Sequence, residues 1–218
     1  MKSSRRPRSR RGRFITLEGV EGVGKSTQLG FVCSVLRAHG LTVLETREPG
    51  GTPEADEIRA TLLKVRGGAF EPIAELLMMF AARALHVEKV IRPALAAGTW
   101  VVCDRFIDAS YAYQGGGRGI PSAQIASLER MVLKGLKPDL TLLLDMDVSA
   151  GMARARGRGA LDRFEQEQDE FFDRVRRVYR ARARKEPRRI RVVDAGQDLA
   201  AVQRDVDALM AAALKRWT

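Results

Sequence analysis

The sequence predicts an α/β protein of three layers, in which a five-stranded parallel sheet carries helices on both faces. Short apolar runs alternate along the chain with longer helical patterns, which is the order typical of βαβ units. Some runs, such as Trp100 to Cys103, are apolar throughout, as expected of strands buried on both sides. The chain has 218 residues, 45% of them hydrophobic, and this is enough for one domain with a sizeable core.

The five predicted strands are apolar or β-branched runs bounded by charged residues and turn signals. They occupy residues 14–18, 41–45, 100–103, 140–144 and 190–193. None of these runs approaches the length of about eighteen apolar residues that a membrane-spanning helix needs, so no membrane partner is expected.

Helical patterns lie between the strands and after the last one. Gly40 suits the left-handed position beyond the first helix, Pro53 can occupy the first turn of the second, and Pro93 breaks or kinks the third. The predicted helices cover 25–38, the residues after 53, 71–91, 121–135, 165–185 and the C-terminal residues. The glycine-rich residues 114–119 are predicted to form a loop.

The positive charge is concentrated at the N terminus. Lys and Arg number 38 against 27 Asp and Glu, a net charge of +11, and seven basic residues precede or open the first strand: Lys2, Arg5, Arg6, Arg8, Arg10, Arg11 and Arg13. We expect residues 1–12 to be a disordered basic tail and residues 13–218 to form a single domain. The remaining charge of +4 predicts no nucleic-acid partner beyond nonspecific contact by the tail. Two cysteines fit a reducing compartment such as the cytoplasm.

A phosphate-binding motif lies between the first strand and the first helix. The run Gly19-Val20-Glu21-Gly22-Val23-Gly24-Lys25-Ser26 matches G-x-x-x-x-G-K-[ST], and Thr27 follows it. Its backbone N–H groups and the helix N terminus favour a polyphosphate. Lys25 can reach the β- and γ-phosphates, and the Ser26 hydroxyl can bind Mg²⁺. Because its carboxylate repels phosphate, Glu21 either points to solvent or contacts a hydroxyl of a second substrate.

Charged residues follow the second and third strands, at the edge of the sheet where open α/β folds bind ligands. Arg47 and Arg105 suit phosphate oxygens, Glu48 could hold Mg²⁺ waters or orient Arg47, and Asp104 could join the Mg²⁺ shell. An arginine directly after Asp104 suits an anionic acceptor better than a water molecule, which favours a kinase. A structural Asp104–Arg105 ion pair is the alternative.

An arginine-rich segment at about 152–163 follows the fourth strand. Arg154 and Arg158 would share one face of a helix, but the glycines indicate a mobile loop instead. Together with Arg156 they are typical of a lid that supplies arginines to a transferring phosphoryl group. A solvated basic loop or an RNA-binding loop is the alternative.

These motifs resemble those of bacterial thymidylate kinases, which phosphorylate dTMP with ATP. The resemblance extends from about Phe14 to the C terminus and rests on residues 18–27, 46–52, 104–105, 112–119, 138–140 and 161–165. It implies a P-loop kinase fold, ATP and dTMP as substrates, Mg²⁺ as cofactor and a homodimer. A kinase for another nucleoside monophosphate or metabolite, and a P-loop nucleic-acid-binding module, are the alternatives.

The resemblance also implies a role for each matched residue. Residues Gly19 to Thr27 would hold ATP, with Mg²⁺ near Ser26, Glu48 and Asp104. Lys25, Arg105 and one or more of Arg154, Arg156 and Arg158 would stabilise the transferring group. The residues implied for dTMP are Glu21 at the 3′-OH, Arg47 and Arg105 at the phosphate, Tyr113 beside the sugar, Arg83 and Gln114 at the thymine edge, and Glu48, Arg59 and Ser110 nearby.

The chain departs from the family at one position. The family usually places an aromatic residue four positions before the base-reading arginine, where this chain has Met79, and Phe80 follows. Both side chains can lie on the Arg83 side of the helix. Either Met79 packs on thymine while Phe80 belongs to the core, or Phe80 has taken over the stacking.

Overall fold

The computed structural model describes residues 11–64, 70–157 and 162–217. Five parallel strands form one sheet in the order β2-β3-β1-β4-β5. The strands are β1 (Phe14–Glu18), β2 (Val43–Arg47), β3 (Trp100–Asp104), β4 (Leu140–Asp145) and β5 (Ile190–Asp194). The predicted fold class is therefore confirmed.

The helices fall between the strands, as predicted, with some differences at their ends. They are α1 (Lys25–Ala38), α2 (Pro53–Leu63), α3 (Pro72–His86), α4 (Arg92–Ala96), α5 (Ile107–Ser110), α6 (Ser122–Leu133), α7 (Val148–Arg156), α8 (Asp169–Lys185) and α9 (Leu199–Trp217). No helix within the described ranges is long and apolar enough to cross a membrane.

Successive residues of the central strands contribute to two cores, one on each face of the sheet. Ile15 and Leu17 of β1 belong to a cluster that includes apolar residues of α1, α8 and α9. Phe14 of β1 and Val101 of β3 belong to a second cluster that includes apolar residues of α3 and α6. Because neighbouring strand residues point to opposite faces, this division produces the three layers.

The second strand begins two residues later than predicted. The predicted run 41–45 is mostly apolar or β-branched, but β2 pairs with β3 from Val43 opposite Trp100 to Arg47 opposite Asp104. The ends of a strand depend on where its partner strand offers hydrogen bonds. The last pair in this register consists of two charged residues, Arg47 and Asp104. This places Arg47 and Asp104 side by side at the carboxyl edge of the sheet.

The long predicted α-helix ends before Pro93. After α3 ends at His86, residues Val87–Ile91 form a π-helical turn, and α4 continues the direction of the chain. Pro93 has no N–H to continue the hydrogen-bonding pattern, and its ring crowds the preceding turn. The backbone stays helical through Pro93, so the chain is not broken there; the change from α- to π-helical bonding occurs in the turn before it.

The predicted glycine-rich loop was wrong for residues 114–117, because Tyr111–Gly117 form a π-helical turn that continues α5; only residues 118 and 119 lie outside a helix. Its glycines allow close packing against α8. A Cβ on Gly116 would lie 2.6 Å from Val178 Cγ2, and a Cβ on Gly117 would lie 2.4 Å from Phe171 Cε2. The glycines are therefore a contact surface between two helical segments.

The predicted loop beginning at Arg154 was also wrong in its first part, because α7 extends to Arg156. Asp147 caps this helix by accepting hydrogen bonds from the N–H groups of Ser149 and Ala150, at 3.0 and 3.4 Å. The phosphate-binding loop packs directly on α7, and a Cβ on Gly151 would lie 2.6 Å from the Glu21 carbonyl oxygen. Arg158 and its neighbours to residue 161 lie outside the described residues.

The remaining predicted helix starts later than expected, at Asp169 instead of residue 165. The Asp162 carboxylate accepts hydrogen bonds from the N–H groups of Phe164 and Glu165, at 2.8 and 3.0 Å. Short polar side chains that bind the backbone in this way favour turns over helices. The turn places Arg163 against the end of α2, where its backbone N–H donates to the Leu63 carbonyl oxygen at 3.3 Å.

The end of the sheet opposite the phosphate-binding loop is closed by the first and last described segments. The Gly12 N–H donates to the Leu95 carbonyl oxygen at 2.9 Å, and Arg13 pairs with Asp139 at 2.9 Å. Trp217 of α9 packs edge-on against Trp100, with ring centroids 5.5 Å apart. The predicted tail, apart from residues 11 and 12, lies outside the described residues.

Candidate functional site

A cavity of about 200 Å³ opens at the carboxyl ends of β1, β2 and β3. Of the residues predicted for the site, the cavity is lined by Glu21, Gly22, Gly24, Lys25, Ser26, Arg47, Glu48, Arg59, Met79, Arg83, Asp104, Arg105, Ser110, Tyr113 and Gln114. Part of the phosphate-binding loop and all the residues predicted for dTMP except Phe80 therefore face one space.

The other predicted residues that lie within the described ranges do not line the cavity. Val20 and Val23 are buried in the core, Thr27 is exposed, and Gly19 contributes its carbonyl oxygen to the neighbouring cations. Phe80, Arg154 and Arg156 also lie outside the lining.

Lys25 lies at the start of α1, directly after Gly24, which adopts the left-handed conformation with φ 86°. Its ammonium group is buried and donates to the carbonyl oxygens of Val20 and Gly19, at 2.8 and 3.3 Å. Burial, and then the positive charge of Arg105, lower the pKa of Lys25. The amine therefore occupies the centre of the loop that its motif predicts for phosphate.

Arg105, Glu21 and Tyr113 form one network at the end of β3. Arg105 donates to the Glu21 carboxylate at 2.5 Å and to the Gly19 carbonyl oxygen at 2.8 Å. The Tyr113 hydroxyl donates to the same Glu21 oxygen at 2.8 Å, and the Arg105 guanidinium lies 4.8 Å from the Tyr113 ring centre. Glu21 therefore turns into the site, and the solvent-facing alternative was wrong. The Asp104–Arg105 ion pair was also wrong, because Arg105 pairs with Glu21.

A second acidic residue, Glu18, lies in the protein interior, close enough to Arg105 for their charges to interact. The buried Glu18 carboxylate accepts hydrogen bonds from the Tyr179 hydroxyl and the Phe106 N–H, at 2.7 and 2.8 Å. Burial, and then the negative charge of Asp108, raise the pKa of Glu18 to about 7. Arg105 itself has a left-handed backbone with φ 65°, which is costly for a residue with a side chain. The surrounding bonds hold it there.

Asp104 and Ser26 lie together at the edge of the cavity. The Oδ1 atom of Asp104 is buried and has no hydrogen-bond partner among the described residues. A buried carboxylate oxygen without a partner is costly, and a hard cation or its water shell would satisfy it. These two residues therefore fit a divalent cation, although no cluster of three His, Cys, Asp or Glu side chains occurs within the described ranges.

Glu48 does not orient Arg47, as one prediction had it. One of its carboxylate oxygens accepts from Arg83 Nε at 2.6 Å, and the other lies 3.0 Å from His86 Nδ1. Arg83 also donates to Ser110 Oγ at 2.8 Å and to the Phe106 carbonyl oxygen at 3.0 Å. Glu48 and Ser110 therefore fix the guanidinium predicted to read the base.

The adjacent residues Met79 and Phe80 lie in different environments. Met79 is partly exposed and lines the cavity, whereas Phe80 is only 2% exposed and belongs to the core between α3 and the sheet. The Phe80 ring lies 4.9 Å from the Arg83 guanidinium. Phe80 therefore packs against the Arg83 guanidinium on the core side, whereas the Met79 side chain faces the cavity.

Two further arginines border the cavity on the β2 side. Arg47 is more than half exposed and pairs with Asp56 at 3.2 Å. Arg59 of α2 donates to the Pro49 carbonyl oxygen at 2.9 Å, and burial followed by the charge of Arg47 lowers its pKa. The partner of Arg47 is an exposed carboxylate and that of Arg59 is a carbonyl oxygen. Either guanidinium group can therefore bind an anion without breaking a buried ion pair.

The two described lid arginines point away from the cavity. Arg154 donates to the Ala195 carbonyl oxygen, beyond the end of β5, at 3.3 Å. Arg156 is exposed and pairs with Asp169 at 3.4 Å. Because Arg154 and Arg156 are two positions apart on the helix α7, their side chains lie on opposite sides of it. The prediction of a loop did not imply this separation.

Sequence reasoning missed several residues of the cavity wall. Leu63, Ala109, Phe164 and Glu165 line it, together with Pro49 and Asp162. It also missed Glu75, which is buried next to Gln114. The signal in the sequence was that Glu75 is a charged residue inside the apolar run of α3, four positions before Met79.

Comparison with known proteins agrees with this geometry. The family model for thymidylate kinase matches residues 17–206. A thymidylate kinase from Pseudomonas putida strain GB-1 is 55% identical over 205 residues, which are 94% of this chain and 98% of the relative. One from Chromohalobacter salexigens is 56% identical over 211 residues, 95% of this chain and 99% of the relative.

A solved structure leads to the same family. The crystal structure of thymidylate kinase from Ehrlichia chaffeensis matches with a TM-score of 0.75 and 34% identity, covering 92% of this chain and 98% of that one. With the family model matched over most of the chain, the chain belongs to the thymidylate kinase family.

Proposed function

We propose that this protein transfers the γ-phosphoryl group of ATP to dTMP, giving ADP and dTDP for the synthesis of dTTP. One observation carries the proposal. A phosphate-binding loop with a buried lysine opens into the same cavity as a fixed arginine, an amide and a methionine surface, which are the groups that a thymine ring needs.

The chemical step needs positioning and charge stabilisation but no general base. The dTMP phosphate is already an anion at neutral pH, and one of its oxygens attacks the γ-phosphorus while the bond to the β-phosphate oxygen breaks. Lys25 binds the β- and γ-phosphate oxygens, and Arg105, with Arg47, holds the acceptor phosphate in line. Their charge is worth most where the cavity excludes water.

Mg²⁺ is the cation that we propose for the Asp104–Ser26 site. When bound with ATP, it neutralises charge on the β- and γ-phosphate oxygens. Asp104 and the Ser26 hydroxyl would hold it or its waters. The Asp104 Oδ1 atom, which has no hydrogen-bond partner among the described residues, supports this assignment. Both oxygens of Glu48 are occupied by Arg83 and His86, which argues against Glu48 as a direct ligand.

The sugar and the base are selected by different groups. Glu21 accepts the hydrogen bond of the 3′-OH, and Tyr113, held against Glu21, fills the space where ribose would carry a 2′-OH. Arg83 and Gln114 read the polar edge of thymine while Met79 covers its ring. Arg59 and Ser110 complete the wall of the dTMP site.

The lid arginines would act by turning toward the phosphates. Arg154 and Arg156 lie on the last turn of α7, where they contact the Ala195 carbonyl oxygen and Asp169 outside the cavity. We assign to Arg154, Arg156 and Arg158 together the stabilisation of the transferring group.

We also propose a homodimer that works in the cytoplasm. Ile73 and Leu77 are one helical turn apart on α3 and about half exposed, and Met131 of the neighbouring α6 is 64% exposed. Exposed apolar residues of this kind support a contact with a second copy of the chain. Two free, buried cysteines are consistent with a reducing compartment.

The test is a panel of acceptors with ATP and Mg²⁺: dTMP, dUMP, CMP, GMP and AMP. We expect dTMP to have the highest kcat/KM. Phosphorylation of another monophosphate in preference to dTMP would overturn the proposal.

The matched control is Lys25→Ala. Loss of this buried charge at the phosphates should lower kcat by at least about a hundredfold, the scale of losing one transition-state donor, while the melting temperature changes little. Turnover at the wild-type rate in this variant would show that the loop is not the phosphoryl-donor site.

A further inference from the structure

A buried carboxylate lies directly behind the residue that faces the base. Glu75 of α3 is completely buried, and the Gln114 side-chain amide donates to its Oε1 atom at 2.9 Å. Two guanidinium groups neutralise its charge: Arg163 donates to Oε2 at 2.8 Å, and Arg118 donates to Oε1 at 3.3 Å. A charge so deeply buried is costly unless its partners are well placed, as they are here.

This arrangement decides which way round the Gln114 amide lies. An ionised carboxylate can only accept hydrogen bonds, whereas an amide has a donating NH₂ branch and an accepting oxygen branch. Gln114 must therefore turn its NH₂ branch toward Glu75. Its Oε1 atom then lies on the opposite branch, and no hydrogen bond is made to that atom within the described part of the chain. Gln114 lines the cavity, so the cavity meets an acceptor.

An acceptor at this place distinguishes two pyrimidines of almost equal shape. Thymine carries a donor, N3–H, whereas cytosine has an acceptor at N3. A site built to pair with a donor rejects the analogue that lacks it, because two lone pairs then face each other.

We propose that Glu75 is a positioning residue for base specificity: by fixing the orientation of the Gln114 amide, it makes the site select thymine over cytosine. Glu75 does not touch the substrate. The inference rests on the proposed dTMP kinase function and on Gln114 as a reader of the base, and it assigns the discrimination at N3 to the pair Glu75–Gln114.

The experiment compares dTMP with 5-methyl-dCMP, which keeps the methyl group and differs at N3 and C4. In Glu75→Gln, the new amide can either accept from or donate to Gln114, so both orientations of Gln114 become available. We expect the ratio of kcat/KM values, dTMP over 5-methyl-dCMP, to fall at least about tenfold. A ratio is the suitable measurement because partial unfolding lowers both rates equally.

Two controls keep the test decisive. Glu167→Gln makes the same chemical change in the other carboxylate that binds Arg118, at 2.6 Å, and should leave the ratio unchanged. If Glu75→Gln fails to fold, Glu75→Gln/Arg163→Gln removes one buried charge of each sign, and Arg163→Gln alone is its reference. The double variant should lose discrimination, and the single variant should keep it.

A wild-type ratio in Glu75→Gln, or in the double variant, would overturn the inference. The proposed function fails separately: it is wrong if the wild type does not phosphorylate dTMP. The base-reading role is tested with Gln114→Leu, which should lower the ratio as well. A lowered ratio in Gln114→Leu with an unchanged ratio in Glu75→Gln would leave the function intact and remove Glu75 from it.

Discussion

Substitutions at the consecutive positions Met79 and Phe80 should have different effects: the first should weaken dTMP binding, and the second should lower stability. Met79→Ala removes apolar contact with thymine in both the ground state and the transition state, so KM for dTMP should rise with little change in kcat. The loss should be about 1–2 kcal/mol, the scale of burying such a side chain. Met79→Phe should restore or improve affinity. Steady-state kinetics on these two variants measure the effect.

Phe80→Ala is the matched comparison. Because Phe80 is buried in the core, the substitution should lower the free energy of unfolding by about 3–5 kcal/mol, as measured by urea denaturation. If Phe80→Ala raised KM for dTMP while Met79→Ala did not, stacking would have moved one residue along the helix.

Glu18 should make stability depend on pH in an unusual direction. Its pKa of about 7 in the folded protein lies above the ordinary value of 4.5, so the folded state binds this proton more tightly than the unfolded state. The stabilisation is complete below pH 4.5 and is lost as the pH rises through about 7. At about 1.4 kcal/mol for each pH unit, the loss is about 3 kcal/mol.

Glu18→Gln cannot ionise and should escape this loss. Urea unfolding of both proteins at pH 5, 6, 7 and 8 measures the effect. The variant should gain stability relative to the wild type as the pH rises. Parallel pH profiles of the two proteins would contradict the shifted pKa.

Individual residues were predictable where chemistry demands a residue type at a fixed spacing. Lys25, Ser26, Asp104 and Arg105 follow strand ends in an order that anticipates the cavity. Glu75 was not predictable in the same way, because its partners are 39 or more positions away. Only the folded chain brings those side chains together.

At the scale of elements, the contact between the phosphate-binding loop and α7 leaves no room for a side chain. Gly151→Ala would place a methyl group 2.6 Å from the Glu21 carbonyl oxygen, and the backbone must shift. Small displacements of catalytic groups are costly, so kcat/KM for ATP should fall by about tenfold to a hundredfold. Steady-state kinetics with varied ATP test this.

Gly30→Ala provides the control for that substitution. Gly30 lies in α1 and is exposed, and a Cβ added there would have no described atom within 4 Å apart from its chain neighbours and the backbone of its own helix. Alanine should raise stability by about 0.5–1 kcal/mol and leave the kinetics unchanged. Equal activity of the two alanine variants would show that the loop tolerates displacement.

The elements that were predicted correctly owe their limits to local signals. Apolar runs identify β1, β3 and β4, and Pro53 identifies the start of α2. The π-helical turn at Tyr111–Gly117 was missed because its glycines are typical of a loop when only neighbours in sequence are considered. The packing of α8 against those glycines is a long-range contact, and it overrides that local preference.

For the whole molecule, the exposed face of α3 should hold two copies together. Leu77→Glu places a charge in that apolar contact and should convert a dimer into a monomer. Leu199→Glu makes the same change in another exposed leucine, on α9, and should leave the mass unchanged. Analytical ultracentrifugation of the wild type and both variants gives the masses. A dimeric Leu77→Glu protein would place the interface elsewhere.

The pairing of Trp100 with Trp217 determines what intrinsic fluorescence can report. These are the two tryptophans of the sequence, and they lie together where β3 begins. The five-residue strand separates them by about 13 Å from the substrate cavity at its other end. Tryptophan emission should therefore follow the docking of the C-terminal helix and remain constant when nucleotides bind. Tryptophan fluorescence can therefore be used to follow unfolding in the presence of saturating substrates, because substrate binding itself does not change the signal.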